Sequence, residues 1–286
     1  MKILRELNLK DLLFIDIETV PLVQELKEGT PLYESWDYKV RHNRDNDNFE
    51  GSLNDSYIKH SALYAEFAKI VCITVGMVVN DVLKVKSYSD DDEFSLLTEF
   101  TRQLSNMTAQ NKNLRLAGHA IKGFDIPFIM RRCLVNQIEL PLLIDTAHLK
   151  PWELTAIDTL ELWKGSGFRG CSLINISTAL GLTSPKDEME GGDTYKVYYN
   201  VKNGLDLIRQ YCEKDVHTVC NVILKCRYEK PVEIEKANLE VKKIGLVEST
   251  FNTKSITSKA KLISKVEALP QNDVAKGREI LQAISK

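Results

Sequence analysis

Leu12–Pro21, near the N-terminus, has the sequence L-L-F-I-D-I-E-T-V-P. Its nearly unbroken apolar start predicts a buried β-strand that ends at the proline. Because side chains alternate along a strand, Asp16 and Glu18 share one face, while Ile15 and Ile17 take the other. Two neighbouring carboxylates repel each other and lose hydration on burial, and a divalent cation with oxygen ligands compensates for both effects. The motif alone also fits a strand edge that turns into solvent.

The segments that follow predict a mixed α/β domain with helices on both faces of a sheet. Two further strands, 69–79 and 82–88, are joined by the tight-turn dipeptide Asn80-Asp81, so the early strands pair antiparallel. Asp90 with Glu93 resembles a capping box that begins a helix reaching Leu104. The other expectations are a polar insertion at 25–60, strands at 114–118 and 156–162, helices at 126–136 and 172–180, a loop at 183–203, and a long amphipathic helix from Leu205 to about Tyr228.

Composition is that of an ordinary globular chain, with 286 residues, 43% hydrophobic residues and a net charge of -2. This balance does not indicate a nucleic-acid binder, although an enzyme that grips only a strand end needs few phosphate contacts. The N-terminus lacks the apolar core of a signal peptide, and no apolar run is long enough to span a bilayer. These features predict a cytoplasmic protein without membrane contact.

The character of the chain changes at Pro231. Residues 241–286 contain nine basic and four acidic side chains, which gives this tail a net charge of about +5. We therefore predict one domain over residues 1–230 and a basic, helical C-terminal extension over residues 231–286. The extension is expected to be a solvated helical cap, a surface that tracks a nucleic-acid strand, or a docking element for a protein partner.

Two further carboxylates lie apart from the first strand. Asp215 interrupts the apolar stripe of the long helix, and Tyr211 lies one turn earlier on the same face, where its hydroxyl could reach a water or phosphate near that carboxylate. Asp125 follows the turn after strand 114–118, and binding sites commonly lie in such turns. Simpler interpretations are a helix N-cap for Asp125 and a partly exposed position at the edge of the stripe for Asp215.

Three segments resemble the exonuclease motifs of the DEDD superfamily: F-I-D-I-E-T-V-P at Phe14–Pro21, G-H-A-I-K-G-F-D-I-P-F-I at Gly118–Ile129, and Y-C-E-K-D at Tyr211–Asp215. The tyrosine of the third segment is typical of the DEDDy branch. The nearest likeness is to stand-alone exonucleases related to the proofreading domain of family B DNA polymerases. D-T-L-E-L-W-K at Asp158–Lys164 and S-P-K-D at Ser184–Asp187 add to the resemblance, which covers residues 12–224.

This resemblance implies an RNase H-like fold, in which the first three strands are antiparallel and the later ones parallel. It also implies a 3′-5′ exonuclease that releases nucleoside monophosphates from a free 3′ end of nucleic acid, with single-stranded DNA as the expected substrate. Tyr211 would orient the attacking water. Two divalent cations, Mg²⁺ or Mn²⁺, would be held by the four carboxylates of the motifs, Asp16, Glu18, Asp125 and Asp215.

One residue departs from the resembled pattern, because the family usually has Asn where this chain has Ala120. An alanine side chain cannot hydrogen-bond backbone or substrate, so the departure bears on substrate positioning rather than on metal binding. It also keeps open one alternative, a catalytically impaired nuclease-like module that binds nucleic acid or scaffolds a repair complex. An RNase H-like endonuclease would cluster carboxylates too, but it has no reason to carry Tyr211.

Residues beside the motifs are candidates for substrate contacts. Thr19 and Phe124 flank the predicted metal ligands and could meet the terminal sugar and base. Lys122, Arg131 and Arg132 could contact phosphates, although all three could also be ordinary solvated charges on a loop and a helix face. No motif in the chain indicates the contact with a 2′-hydroxyl that distinguishes RNA from DNA.

Overall fold

The computed structural model describes residues 1–42, 49, 51–150, 152–182 and 194–236. Within them the strands are β1 Leu12–Pro21, β2 Ala68–Val79, β3 Val82–Ser89, β4 Arg115–Gly118, β5 Ile157–Asp158 and β6 Glu233–Lys236. The helices are α1 Lys2–Arg5, α2 Pro31–Arg41, α3 Leu53–His60, α4 Glu93–Gln110, α5 Asp125–Val135, α6 Thr159–Lys164, α7 Leu173–Ala179, α8 Thr194–Asn200 and α9 Gly204–Cys226. Two single 3-10 turns lie at Leu9–Asp11 and Ser61–Leu63.

The six strands form one mixed sheet in the order β5-β4-β1-β2-β3-β6. The first three strands pair antiparallel, whereas β4 runs parallel to β1 and β5 runs parallel to β4. Asn80 and Asp81 both have positive φ, as the two-residue turn between β2 and β3 requires. The predicted RNase H-like arrangement, with antiparallel strands first, parallel strands later and helices on both faces, is therefore confirmed.

Strand β1 lies inside the sheet and divides the core into two layers. Leu13, Ile15 and Ile17 pack in the layer that contains α4 and α5. Leu12 and Phe14 pack in the opposite layer, against α9. The pairing register between β1 and β2 shifts between Glu18 and Thr19, and such irregularities re-aim side chains at the edge of a site. The alternation predicted for this strand therefore places its two acidic residues on the side of α9.

Three local predictions are wrong. Helix α4 is capped by Asp92, whose carboxylate accepts hydrogen bonds from the N–H groups of Phe94 and Ser95, and not by Asp90. The strand expected at 156–162 is only two residues long, because Asp158 caps α6 and starts a helix there. The loop expected at 183–203 contains helix α8, while residues 183–193, including S-P-K-D, lie outside the described residues.

The C-terminal part of the described chain adds an edge strand to the sheet. β6 pairs parallel with β3, although its residues fall in the region predicted as a separate extension. The sheet thus continues past residue 230, where the domain boundary was expected. Residues 237–286 lie outside the described residues, so the helical character of the basic extension stays a prediction.

A buried ion pair joins α4 to α5, the helix that carries Asp125. The Arg132 guanidinium, only 5% exposed, donates to both carboxylate oxygens of Glu93 at 2.5 to 3.1 Å and to the carbonyl of Ala65 at 2.9 Å. Glu93 also accepts a hydrogen bond from the N–H of Ile70 at 2.8 Å. Arg132 is therefore a structural residue, and the expectation that it touches phosphates is wrong.

We expect Glu93→Ala to lower the free energy of unfolding by about 3–5 kcal/mol, because it leaves the Arg132 charge buried without its partner. The double variant Glu93→Leu/Arg132→Met should lose much less, since both charges leave together. Urea unfolding followed by circular dichroism measures both changes. A single variant within about 1 kcal/mol of the unmodified protein would contradict this account of the pair.

Candidate metal centre

Three carboxylates from distant parts of the chain converge in space. Asp16, Glu18 and Asp215 each place one oxygen within 4.8 Å of the others. Strand β1 presents the first two on one face, and α9 crosses that face with the third. The buried thiol of Cys212, one turn before Asp215, donates to the carbonyl of Asp16 at 3.4 Å and so ties the helix to the strand.

Asp125 approaches Asp16 from another direction, the start of α5. Strand β4 pairs with β1 only as far as Phe14. Three residues further along β1, the N–H of Ile17 instead donates to Asp125 Oδ1 at 3.2 Å. Burial raises the pKa of Asp16 most, and the charge of Asp125 is the next cause. Asp125 is therefore close enough to act on the cluster, although the 4.8 Å group contains only the other three residues. Phe124 holds the N-cap position of α5, so the N-cap interpretation of Asp125 is wrong.

The four carboxyl groups resist ionisation in this setting. Burial raises the pKa of Asp16 and Glu18 well above the ordinary range, that of Asp125 to about 7 and that of Asp215 to about 6. In addition, Asp16 Oδ2 is buried and has no hydrogen-bond partner among the described residues. A bound divalent cation would supply the opposite charge and the missing partner, and hard cations prefer such an all-oxygen ligand set. The residues present therefore fit a metal centre.

Tyr211 is half-buried, one helical turn before Asp215. Its hydroxyl interacts with the Asp215 carboxyl and lowers the pKa of that group, which partly offsets the effect of burial. Burial, followed by the charges of Asp215 and Glu18, raises the pKa of Tyr211 far above its ordinary value. The phenol thus stays protonated at neutral pH and can donate a hydrogen bond to a water molecule.

Two residues that support the site were not predicted from the sequence. The buried hydroxyl of Thr194 donates to Glu18 Oε2 at 3.3 Å, from a stretch that was predicted to be a loop. Asp158 accepts hydrogen bonds from the N–H groups of Ala120 and Lys122 at 2.8 and 3.1 Å, so it holds the turn that leads to Asp125. D-T-L-E-L-W-K was noted as part of a family likeness, but its aspartate had no role there.

The four expected substrate contacts lie in different surroundings. Thr19 is 8% exposed, and its hydroxyl already donates to the carbonyl of Ala62 at 2.8 Å. Lys122 forms a 2.7 Å ion pair with Glu161. Phe124 is half-buried and packs its ring against Phe128. Arg131 is exposed on α5, the helix that begins with Asp125.

Ala120, the departure from the resembled pattern, adopts a left-handed backbone conformation with φ 58°. This conformation costs a residue with a Cβ atom about 1–2 kcal/mol, whereas glycine adopts it freely and asparagine tolerates it better than alanine. An asparagine, which the resemblance leads one to expect at this position, would therefore have a backbone reason to occupy it, beside any contact with substrate.

The sheet order and the carboxylates of β1, α5 and α9 define the class of this protein as an RNase H-like domain with an acidic centre. The chain belongs to the family of predicted 3′-5′ exonucleases related to the exonuclease domain of PolB, which matches residues 60–261. The matched range includes Asp125, Tyr211 and Asp215, while Asp16 and Glu18 precede it. No helix of the described residues is long and apolar enough to cross a membrane.

Among solved structures, the chain is similar to the family B DNA polymerase of the hyperthermophilic archaeon Pyrobaculum calidifontis, with 13% sequence identity and a TM-score of 0.46. The similarity covers 75% of this chain and 24% of the polymerase chain, so the match spans about a quarter of the polymerase's length. No curated protein matches the chain at a significant level.

We expect Ala120→Gly to raise the free energy of unfolding by about 1 kcal/mol, because glycine removes the left-handed strain. The matched control is Ala117→Gly in β4, a buried strand position at which the same change should lower stability by about 0.5–1 kcal/mol or more. Thermal denaturation of the three proteins measures both effects. Equal losses of stability in the two variants would show that Ala120 is unstrained.

The raised pKa values predict that the metal-free protein loses stability as the pH rises from about 4 through about 7. In this range the folded state keeps protons on Asp125 and Asp215 that the unfolded chain has released, so deprotonation favours unfolding. The stabilisation caused by added Mg²⁺ or Mn²⁺ should grow over the same range. Melting curves with chelator and with cation test this expectation, and Asp16→Asn should reduce the stabilisation by the cation at every pH. A cation effect that is independent of pH would contradict it.

Proposed function

We propose that this protein is a metal-dependent 3′-5′ exonuclease that removes nucleoside monophosphates from a free 3′ end of single-stranded nucleic acid, with DNA as the expected substrate. The observation that carries the proposal is the convergence of Asp16, Glu18 and Asp215, with Asp125 acting on Asp16 from α5. Membership in a family of predicted 3′-5′ exonucleases supports the same reaction class.

Two divalent cations, Mg²⁺ or Mn²⁺, would be held by the four carboxylates named above. When bound, such cations lower the pKa of water and stabilise the charge that develops on the phosphate and the leaving oxygen. The protein contributes fixed ligands. The Thr194 hydroxyl restrains the Glu18 carboxylate, and the N–H of Ile17 restrains that of Asp125. Such outer partners orient the ligands before a cation arrives.

The role that we assign to Tyr211 is to hold the attacking water. Its raised pKa makes it a poor base and a persistent donor, and its position one turn from Asp215 directs the hydroxyl toward the carboxylates. A water that accepts this hydrogen bond is held in a fixed orientation toward the phosphate, which contributes to the rate through positioning.

The terminal nucleotide would lie beside the start of α5. Phe124 precedes Asp125 and keeps part of its ring accessible, so it could stack on the terminal base. Arg131 is exposed on the same helix and could pair with a phosphate, while Lys122 would first have to leave Glu161. Thr19 would act through its backbone or methyl group, because its hydroxyl is already bonded.

The second candidate function is a catalytically impaired module that binds nucleic acid or scaffolds a repair complex. Ala120 is the observation that favours it, since this residue has a left-handed backbone conformation in the turn before Asp125 and its side chain cannot hydrogen-bond a substrate. The intact set of carboxylates favours the enzyme, and the rate measurement below separates the two candidates.

A 5′-labelled single-stranded oligonucleotide should give a ladder of shortened products in the presence of Mg²⁺ or Mn²⁺. Asp16→Asn should abolish the ladder, and Tyr211→Phe should slow it about tenfold or more, because the water loses its donor. Asp206→Asn, at an exposed position of α9, is the matched control and should leave the rate unchanged.

Three further samples make the same assay decisive. Excess chelator should stop the reaction, and a circular single strand should stay intact. Matched DNA and RNA oligonucleotides show which nucleic acid is preferred. A ladder that persists in chelator would exclude the metal mechanism, and cleavage of the circle would indicate an endonuclease. Absence of any product from linear strands would favour the impaired module.

A further inference from the structure

The segment 163–169, which we call the aromatic loop, has the sequence W-K-G-S-G-F-R and takes no part in the chemistry described above. It begins at the last two residues of α6 and continues into a turn. The Phe168 side chain is 96% exposed and that of Trp163 is 43% exposed. Large aromatic rings with this much surface in water, close together in one short loop, are typical of binding surfaces.

Both ends of the aromatic loop are anchored to the turn that leads to Asp125. Before the loop, Asp158 and Glu161 bind the Ala120 N–H and the Lys122 ammonium, both at distances below 3 Å. The His119 ring contacts the Thr159 hydroxyl at 2.9 Å. After the loop, the backbone of Cys171 lies close enough to the same histidine ring to raise its pKa, although burial lowers that pKa more. The exposed rings are therefore carried by a segment fixed next to the candidate metal centre.

Positive charge accompanies the two rings. Lys164 and Arg169 flank the glycines of the loop, and neither forms a salt bridge with another described residue. Lys164 also lines a cleft of about 540 Å³ together with Arg115 and Lys122. The acids of this cleft are already engaged, since Asp158 accepts backbone hydrogen bonds and Glu161 pairs with Lys122. The three basic side chains of this cleft outnumber its two acidic ones, so together with Arg169 the surface beside the loop carries a net positive charge.

We propose that the aromatic loop binds the substrate strand a few nucleotides upstream of the bond to be cleaved. Phe168 and Trp163 stack on successive bases, and Arg169 and Lys164 neutralise phosphates between them. Stacking on a protein ring requires a base that is free of its pairing partner, so the loop selects single strands over duplex ends. This inference rests on the proposed function and adds the residues that hold the substrate strand beyond its terminal nucleotide.

Binding is measured without turnover, in excess chelator, with fluorescein-labelled oligo-dT of about 3 to about 15 nucleotides, the range of site sizes of strand-binding surfaces. Phe168→Ala and Trp163→Ala should each raise the Kd of the longer strands about fivefold or more and leave the shortest unchanged. Arg169→Ala should lower the slope of log Kd against log salt by about one. Phe94→Ala, at a 51% exposed aromatic on α4, is the matched control and should bind like the unmodified protein.

Any of three outcomes would overturn the proposal. In the first, both aromatic variants bind strands of every length with the affinity of the unmodified protein. In the second, the variants lose affinity equally for single strands and for blunt duplexes, and in the third the protein binds no oligonucleotide. The melting temperature of Phe168→Ala should not change, because Phe168 is 96% exposed, so a loss of affinity in this variant reports on the loop and not on the fold. With active enzyme, the KM for long strands should rise while kcat stays constant. If no exonuclease activity exists but the variants still lose affinity, the loop assignment stands and the proposed function fails.

Discussion

The whole arrangement depends on one electrostatic constraint, which is that four carboxyl groups occupy a poorly hydrated region of the sheet. Asp16 and Glu18 are presented by an otherwise apolar strand, and burial raises the pKa of both. A fold can keep such groups only if protons or cations neutralise them. The elements packed around β1 bring the other two carboxylates, those of Asp125 and Asp215, close to Asp16 and Glu18. Helix α9 carries Asp215 across the strand, and α5 begins with Asp125 after the turn that follows β4.

Rigid elements and buried polar contacts hold the site in position. The thiol of Cys212 ties α9 to the backbone of β1, and Asp158 holds the turn between β4 and α5. Arg132 and Glu93 lock α5 to α4 in the opposite layer of the core. Each contact involves a buried side chain, and together they orient the carboxylates without a cation. Some residues that stabilise the fold therefore also position the candidate metal ligands.

Local patterns predicted much of this structure. The alternation in Leu12–Pro21 placed its two acids on one face, and the interrupted stripe of the long helix indicated Asp215 and Tyr211. The failures involve partners that are remote in sequence or alternatives that sequence patterns cannot rank. Arg132 lies inside because of Glu93, 39 residues away. Asp158 shortens its strand because its carboxylate caps a helix, and Asp92 rather than Asp90 caps α4 although either residue could do so. The hydrogen bond of Thr194 to Glu18 could not be predicted, because nothing near Thr194 in the chain indicates it.

The most direct test of the central claim is a crystal structure of the protein soaked in Mn²⁺ at neutral pH, with the ions located by anomalous scattering. The account predicts at least one strong peak within coordinating distance of Asp16, Glu18 and Asp215, and a second that involves Asp125. The same carboxylates without a peak at saturating Mn²⁺, sharing protons with one another instead, would contradict the claim that cations complete this site.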